Sequence, residues 1–272
     1  MTDRTDEQGV EARALRKVFY DTRRGEVLAV DGVSFTCRPG EVFGLLGTNG
    51  AGKTTTLRML GTVLTPTAGT ALIAGHDVVR EPEAVRRRIG YMSSDTGIYS
   101  RMTAGEMVDY FGRLHGLDEA DLAKRREAVF AMLGMDAFRD VLGAKMSTGM
   151  KQKVSLARTI VHNPPILIFD EPTAGLDIIV ARSVIDFIAD CRDRNKCVIF
   201  STHVMREAEK LCYRIAIIHQ GRILAEGSHQ DLLDRTGQPD LEEAFFSLVR
   251  LEEARESTAE NAEGAEKDGN AL

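Results

Sequence analysis

The alternation of apolar and polar positions divides the chain into three regions. Over residues 14–47, short β-rich runs (RALRKVFY, VLAVDGVSFTC and, after Pro39-Gly40, EVFGLLG) are separated by turn residues. The run VFGLLG is apolar without alternation, which predicts a strand covered on both faces of a parallel sheet. It stops at Gly47, and helical spacing begins within a few residues. Two similar runs, ILIF at 166–169 and CVIFST at 197–202, flank the helical pattern IIVARSVIDFIADCRDR, which predicts a βαβ crossover. The middle region reads differently. TAGEMVDYFGRLHG, DEADLAKRREAVFAMLGM and MKQKVSLARTIVHN carry helical spacing with no strand pattern between them. They predict a helical subdomain, about 95–163, inserted between strands of the sheet. Beyond His203 a hairpin turning at Gln220-Gly221 is followed by two helical patterns, HQDLLDR and DLEEAFFSLV. The folded domain is therefore expected over 13–250, with a polar extension at 1–12 and an Ala/Glu/Gly-rich, disordered tail at 251–272.

Charge and composition narrow the function. The chain has 272 residues, 43% hydrophobic and 28% charged, enough for a sizeable core. Of its net charge of −6, −5 lies in 251–272, so the body is close to neutral. A basic nucleic-acid-binding domain is not expected. No apolar stretch approaches the roughly 18 residues of a membrane span, and the start MTDRTDEQGVEAR lacks the apolar core of a signal peptide. Cys37, Cys191, Cys197 and Cys212 show no metal-binding spacing, so free thiols in a reducing cytoplasm are expected. Any membrane role would run through a partner.

Chemistry enters at the end of the first buried strand. Gly47-Thr48-Asn49-Gly50-Ala51-Gly52-Lys53-Thr54 fits GxxxxGK(S/T), between a predicted strand and a predicted helix, with Thr55 next in that helix. Small residues let successive N–H groups curl around phosphate oxygens, and the helix adds its free N–H groups and positive dipole end. Lys53 is expected to reach the β- and γ-phosphates of ATP, and Thr54 to offer its hydroxyl to Mg²⁺. A Gly-rich turn with a surface lysine is the bland reading, which this context disfavours. The strand ILIF ends in Asp170-Glu171, where parallel sheets bind ligands. Asp170 suits Mg²⁺ through water, and Glu171 can act as general base on an attacking water.

Taken together, these residues resemble the nucleotide-binding subunits of ABC transporters, over about residues 15–249. Met146-Ser147-Thr148-Gly149-Met150 stands where that family has its LSGGQ signature. Ala174-Gly175-Leu176-Asp177 resembles its D-loop, and Ser201-Thr202-His203 its switch-histidine strand end. The resemblance implies an α/β fold: a P-loop NTPase core with a mostly parallel sheet, an N-terminal antiparallel β subdomain and an inserted α-helical subdomain. It implies a dimer, more naturally of two identical ATPase subunits. Each ATP would lie between one subunit's phosphate loop and the other's Ser147 and Gly149. Phe19 would stack on adenine, with Tyr20 the weaker alternative, His203 would bind the γ-phosphate, and Asp177 would couple the two sites.

Departures from the family pattern fall at Ser94, where a metal-contacting glutamine is usual, and in the signature, where Thr148 replaces a glycine and Met150 a glutamine. The segments SSDTGIYSRMT, STGMKQKV and LEEAFFSLV resemble the ATPases of sodium-extruding ABC exporters and related export systems, whose transport path is a separate membrane permease. Residues 93–116 would form part of the surface facing that permease, although Tyr99, Tyr110 and Phe111 read first as core. The resemblance thus implies an ATPase at the inner face of the membrane, held there by the permease and without nucleic acid. A soluble ABC-type ATPase acting on nucleic acid or ribosomes, and a regulatory ATP sensor, remain as alternatives.

Overall fold

A computed structural model describes residues 9–23, 25–93 and 97–269. Strands β1 (Val10–Asp21) and β2 (Gly25–Cys37) pair antiparallel, and β4 (Ala68–Ile73) and β5 (His76–Asp77) extend them into a four-stranded sheet ordered β2-β1-β4-β5. The second sheet contains β3 (Val42–Leu46), β6 (Ile89–Met92), β7 (Ile166–Asp170), β8 (Cys197–Thr202), β9 (Arg214–His219) and β10 (Arg222–Gly227), ordered β10-β9-β3-β8-β7-β6. All its neighbours are parallel except the β9–β10 hairpin. That hairpin turns at Gln220 and Gly221, both at positive φ (45° and 79°), as a tight two-residue turn demands.

The unbroken apolar runs reflect burial on both faces. Along β7, Leu167 and Phe169 enter a core shared with the helical subdomain, whereas Ile166 and Ile168 face the antiparallel sheet. Val198 and Phe200 of β8 divide from Cys197 and Ile199 in the same way. Helix α1 (Lys53–Leu60) follows β3, and α2 (Pro82–Arg88) precedes β6. Helices α3 (Ala104–Leu114), α4 (Glu119–Leu133) and α5 (Thr148–Ile160) form the insertion, and α6 (Ile178–Asp193) is the β7–β8 crossover. Helices α7 (Met205–Leu211) and α8 (His229–Thr236) flank the hairpin, and α9 (Leu241–Gly269) closes the chain through buried Leu241, Ala244, Phe245 and Leu248.

Two boundaries differ from the sequence expectation. β1 begins at Val10, inside the expected polar extension, because Val10 and Ala12 alternate inward and pair with β2 and β4. At the other end α9 continues to Gly269, into the segment expected as a disordered tail. Ala, Glu and Lys, which dominate that segment, are strong helix formers. Tyr99 and Tyr110, read first as core, are 50% and 43% exposed and pack edge-on to each other.

Below the helical subdomain, His162 and His115 stack face to face at 3.5 Å, and His162 Nε2 lies 3.0 Å from the carbonyl of Ile89. Burial, aided by the neighbouring His115, lowers the pKa of His162 to about 4. The folded chain thus keeps this ring neutral, while the unfolded chain takes up a proton near pH 6.5. Its contribution is complete above pH 6.5 and is lost as the pH falls from there toward about 4. His162→Gln should flatten that acid limb by about 1–2 kcal/mol at pH 5, or roughly 3–6 °C in Tm relative to pH 7. Parallel melting curves for variant and wild type would contradict it.

Candidate nucleotide site

Strand order brings the ends of β3, β8 and β7 side by side, so the loop after β3 faces residues carried at the tips of the other two. The 47–52 loop leaves β3 and enters α1 through Gly52, whose φ is +104°. A Cβ at Gly52 would stand 2.7 Å from the carbonyl oxygen of Ala29. Only glycine meets both conditions. The loop is braced from behind, since Gly221 N donates to Ala51 O at 2.9 Å and Asp31 N to Gly221 O at 2.9 Å. A cleft of about 230 Å³ opens in front, lined by Thr48, Asn49, Gly50, Lys53, Thr54 and Thr55 of the loop and helix, with Ala29 and Glu171.

Lys53 is 5% exposed, and its ammonium donates to Gly47 O at 2.7 Å and Thr48 O at 3.2 Å. The same Nζ lies 3.1 Å from Glu171 Oε1, and Glu171 Oε2 is 2.8 Å from His203 Nδ1. Lys53, Glu171 and His203, three separate sequence candidates, thus form one chain of polar contacts. Glu171 itself has φ +50°, an unusual backbone for a non-glycine residue, held by its N–H donating to Ser201 O (3.2 Å) and Ser201 Oγ (3.1 Å).

Asp170 is fully buried. Its Oδ1 accepts from Thr54 Oγ1 at 3.1 Å and from Ser201 Oγ at 2.8 Å, whereas its Oδ2 is buried with no hydrogen-bond partner. Burial raises the Asp170 pKa above the usual carboxylate range against the pull of those two hydroxyls. An orphaned carboxylate oxygen beside a hydroxyl fits a hard cation that keeps much of its water, so the residues present suit Mg²⁺.

Other candidates lie apart. Ser147 caps α5, accepting from Met150 N at 3.3 Å, and Thr148 is the first residue of that helix, without positive φ. A Cβ on Gly149 would stand 2.9 Å from Val180 Cγ2 of α6, so the starts of α5 and α6 are close neighbours. Asp177 caps α6 by accepting from Ile179 N and Val180 N, both at 3.0 Å. Ser147, Gly149 and Asp177 do not line the phosphate cleft of their own chain. They border an exposed patch with Ile178 (88% exposed) and Ile179. Phe19 is also outside the cleft lining, on β1 with the Lys17 ammonium 5.3 Å from its ring centroid. It pairs in register with Val27, two residues before Ala29 of the cleft, which is the extra residue of a bulge between Leu28 and Val30. Tyr20 points to the opposite face. Ser94 lies outside the described residues.

Sequence reasoning missed three contributors. Ala29 shapes the cleft through its backbone and carries no chemical signature. Ser201 reads in the sequence only as part of a strand end, yet it bonds both Asp170 and Glu171. Glu207 of α7 accepts from Thr173 Oγ1 (3.0 Å) and Thr202 Oγ1 (2.8 Å), tying the turn after Glu171 to the end of β8.

A glycine loop with a buried lysine, opposed by a strand-end Asp-Glu pair on a parallel sheet, defines a P-loop nucleotide hydrolase. Residues 30–174 match the family model described as ABC transporter. The chain is 40% identical over 233 residues to the ABC transporter ATP-binding protein NatA of Bacillus subtilis (strain 168), covering 85% of this chain and 95% of that one. It is 38% identical to the daunorubicin/doxorubicin resistance ATP-binding protein DrrA of Streptomyces peucetius, covering 85% and 68%. Among solved structures, an ATP-binding subunit of an ABC transporter superposes with a TM-score of 0.80 at 27% identity, covering 89% of this chain and 100% of that one. A dimeric bacterial ABC transporter cassette shares the fold at a TM-score of 0.73 and 23% identity, covering 80% and 98%. The chain belongs to the ABC transporter family, as its ATP-binding, ATP-hydrolysing component.

Proposed function

We propose that this chain powers an exporter: two copies close on two ATP molecules, and hydrolysis lets them part, driving a separate membrane permease between states. The observation that carries this reading is the contact chain Lys53–Glu171–His203 at the mouth of the phosphate cleft. In this reading the loop N–H groups and Lys53 hold the phosphates. Glu171 draws the proton from the attacking water, and His203 holds Glu171 in place and meets the γ-phosphate. Phe19 and Val27, paired across β1 and β2 close to Ala29 in the chain, receive the adenine. Ser147 and Gly149 of one copy and the phosphate loop of the other complete each site, and Asp177 lies between the two.

Thr54 and Asp170, with Ser94 as a further candidate, would hold Mg²⁺, which supplies charge neutralisation at the phosphate oxygens. The raised pKa of Asp170 means that its ionised form destabilises the metal-free fold above the ordinary carboxylate range, and that this penalty vanishes as the pH falls below that range. Asp170→Asn should therefore raise the Tm of the metal-free protein at pH 7.5, with the gain fading as the pH falls through the carboxylate range. The same variant should lose most of the thermal stabilisation that MgATP gives the wild type. An unchanged MgATP response would remove Asp170 from the metal site.

The permease is proposed to bind along the edge of the helical subdomain within 93–116, where Tyr99, Tyr110 and Leu114 are exposed. No helix of the described residues is long and apolar enough to cross a membrane; in this reading the transport path lies in the permease. Sodium, implied by the resemblance of the export-type segments, is the cargo to assay first, as sodium flux into vesicles carrying the purified complex. The primary test is co-purification of Glu171→Gln from membranes in mild detergent with MgATP. A stoichiometric integral membrane protein is the expected companion. Recovery with ribosomes or DNA in the soluble fraction would overturn the transporter reading.

A further inference from the structure

Cys37 ends β2 and Cys197 opens β8, 160 positions later and in the other sheet. Their sulfurs meet at 3.1 Å, both side chains are only 1% exposed, and both are free thiols. The contact is held from two sides, because Cys37 Sγ lies 3.5 Å from Val198 O and Cys197 Sγ lies 3.5 Å from Cys37 O. A disulfide requires a sulfur separation of about 2.0 Å, so closure asks for roughly 1 Å of movement. Cys191 and Cys212 have no cysteine partner among the described residues, and burial pushes the Cys191 thiol up to about 12. A cavity of about 180 Å³ is lined by Gly9, Val10, Glu11, Thr36, Cys37 and Arg38, on the Cys37 side of the pair.

We propose that Cys37 and Cys197 form a reversible redox staple, oxidised by a small hydroperoxide to a disulfide that joins the antiparallel sheet to the parallel sheet. One thiolate attacks the peroxide, the O–O bond breaks, and the sulfur becomes a sulfenic acid as water or an alcohol leaves. The second sulfur then attacks the sulfenic sulfur, the S–O bond breaks, and a second water carries off the oxygen. Two thiols and one hydrogen peroxide thus give one disulfide and two waters. Reduction by an external thiol reverses it. Burial also holds the Cys37 thiol well above its ordinary range, so the reaction is slow, and with both sulfurs almost wholly buried it is confined to small oxidants. The bridge would lie at the far end of β8 from His203 and the far end of β2 from Ala29. It therefore strengthens the join between sheets without entering the phosphate cleft.

The test is overnight treatment of the full chain with hydrogen peroxide, followed by maleimide blocking of remaining thiols and peptide mapping without reductant. A Cys37–Cys197 linked peptide is expected, together with a Tm raised by roughly 5–10 °C and restored by dithiothreitol. Cys37→Ala and Cys197→Val should each abolish the shift, whereas Cys191→Ser should retain it. Since the wild-type map reads the bridge directly, it stands even if a variant folds poorly. Unreacted Cys37 and Cys197, sulfinic acid at either, or linkage only to Cys191 or Cys212 would each overturn the proposal.

Discussion

Glu171→Gln should lower steady-state ATP hydrolysis by about 10²–10⁴-fold while ATP still binds. The amide matches the carboxylate in shape but cannot accept the proton of water. The geometry adds a second consequence. Glu171 Oε1 forms the only anionic contact of Lys53 among the described residues, at 3.1 Å, and Glu171 Oε2 holds His203 at 2.8 Å. Removing that charge releases Lys53 toward phosphate oxygens. The variant should therefore hold ATP at least as tightly as the wild type and accumulate as a dimer on gel filtration with MgATP. Turnover at the parental rate would remove Glu171 from the role of base. Loss of ATP binding would instead indicate that Glu171 is needed to build the cleft.

Lys53→Ala should weaken ATP binding by roughly 10²-fold or more, because its ammonium is the one charged group contributed by the phosphate loop and it is directed inward by two loop carbonyls. The measurement is titration calorimetry with ATP and with ADP. The loss should be larger for ATP if Lys53 reaches the γ-phosphate, and equal if it reaches only the β-phosphate. A fold penalty is also expected. Among the described residues Glu171 would keep only His203 as a side-chain partner, and a carboxylate left nearly buried is destabilising. Lys53→Arg separates the two effects: it restores the charge opposite Glu171, yet its planar fork does not reproduce three donors on one compact centre. A variant that melts like the wild type but binds ATP poorly would isolate the binding role.

The two substitutions probe one contact from opposite ends, so their effects should not add. Deleting Lys53 already costs Glu171 its counter-charge, and the double variant should bind ATP about as poorly as Lys53→Ala alone.

Much of the site could be read from the chain because its chemistry is contiguous. Eight consecutive residues shape the phosphate loop, and the left-handed backbone at Gly52 is a property of glycine itself. The buried strands announced themselves as unbroken apolar runs, and the insertion as uninterrupted helical spacing. Such signals are local, and no distant residue needs to be known to interpret them.

The tertiary structure decided what depends on which strands become neighbours. β4 and β5 are short and weakly patterned, and they exist as strands because β1 offers an edge to β4 and β4 in turn offers one to β5. Ser201 joins Asp170 and Glu171 because β7 and β8 pair in a register that sets Asp170 opposite Ser201. Ala29 meets Gly52 only after the two sheets pack, and the same packing presses Cys37 against Cys197. Spacing along the chain determined which groups could do the chemistry. Long-range burial, which aligns segments 160 and even 191 positions apart, determined which of them touch.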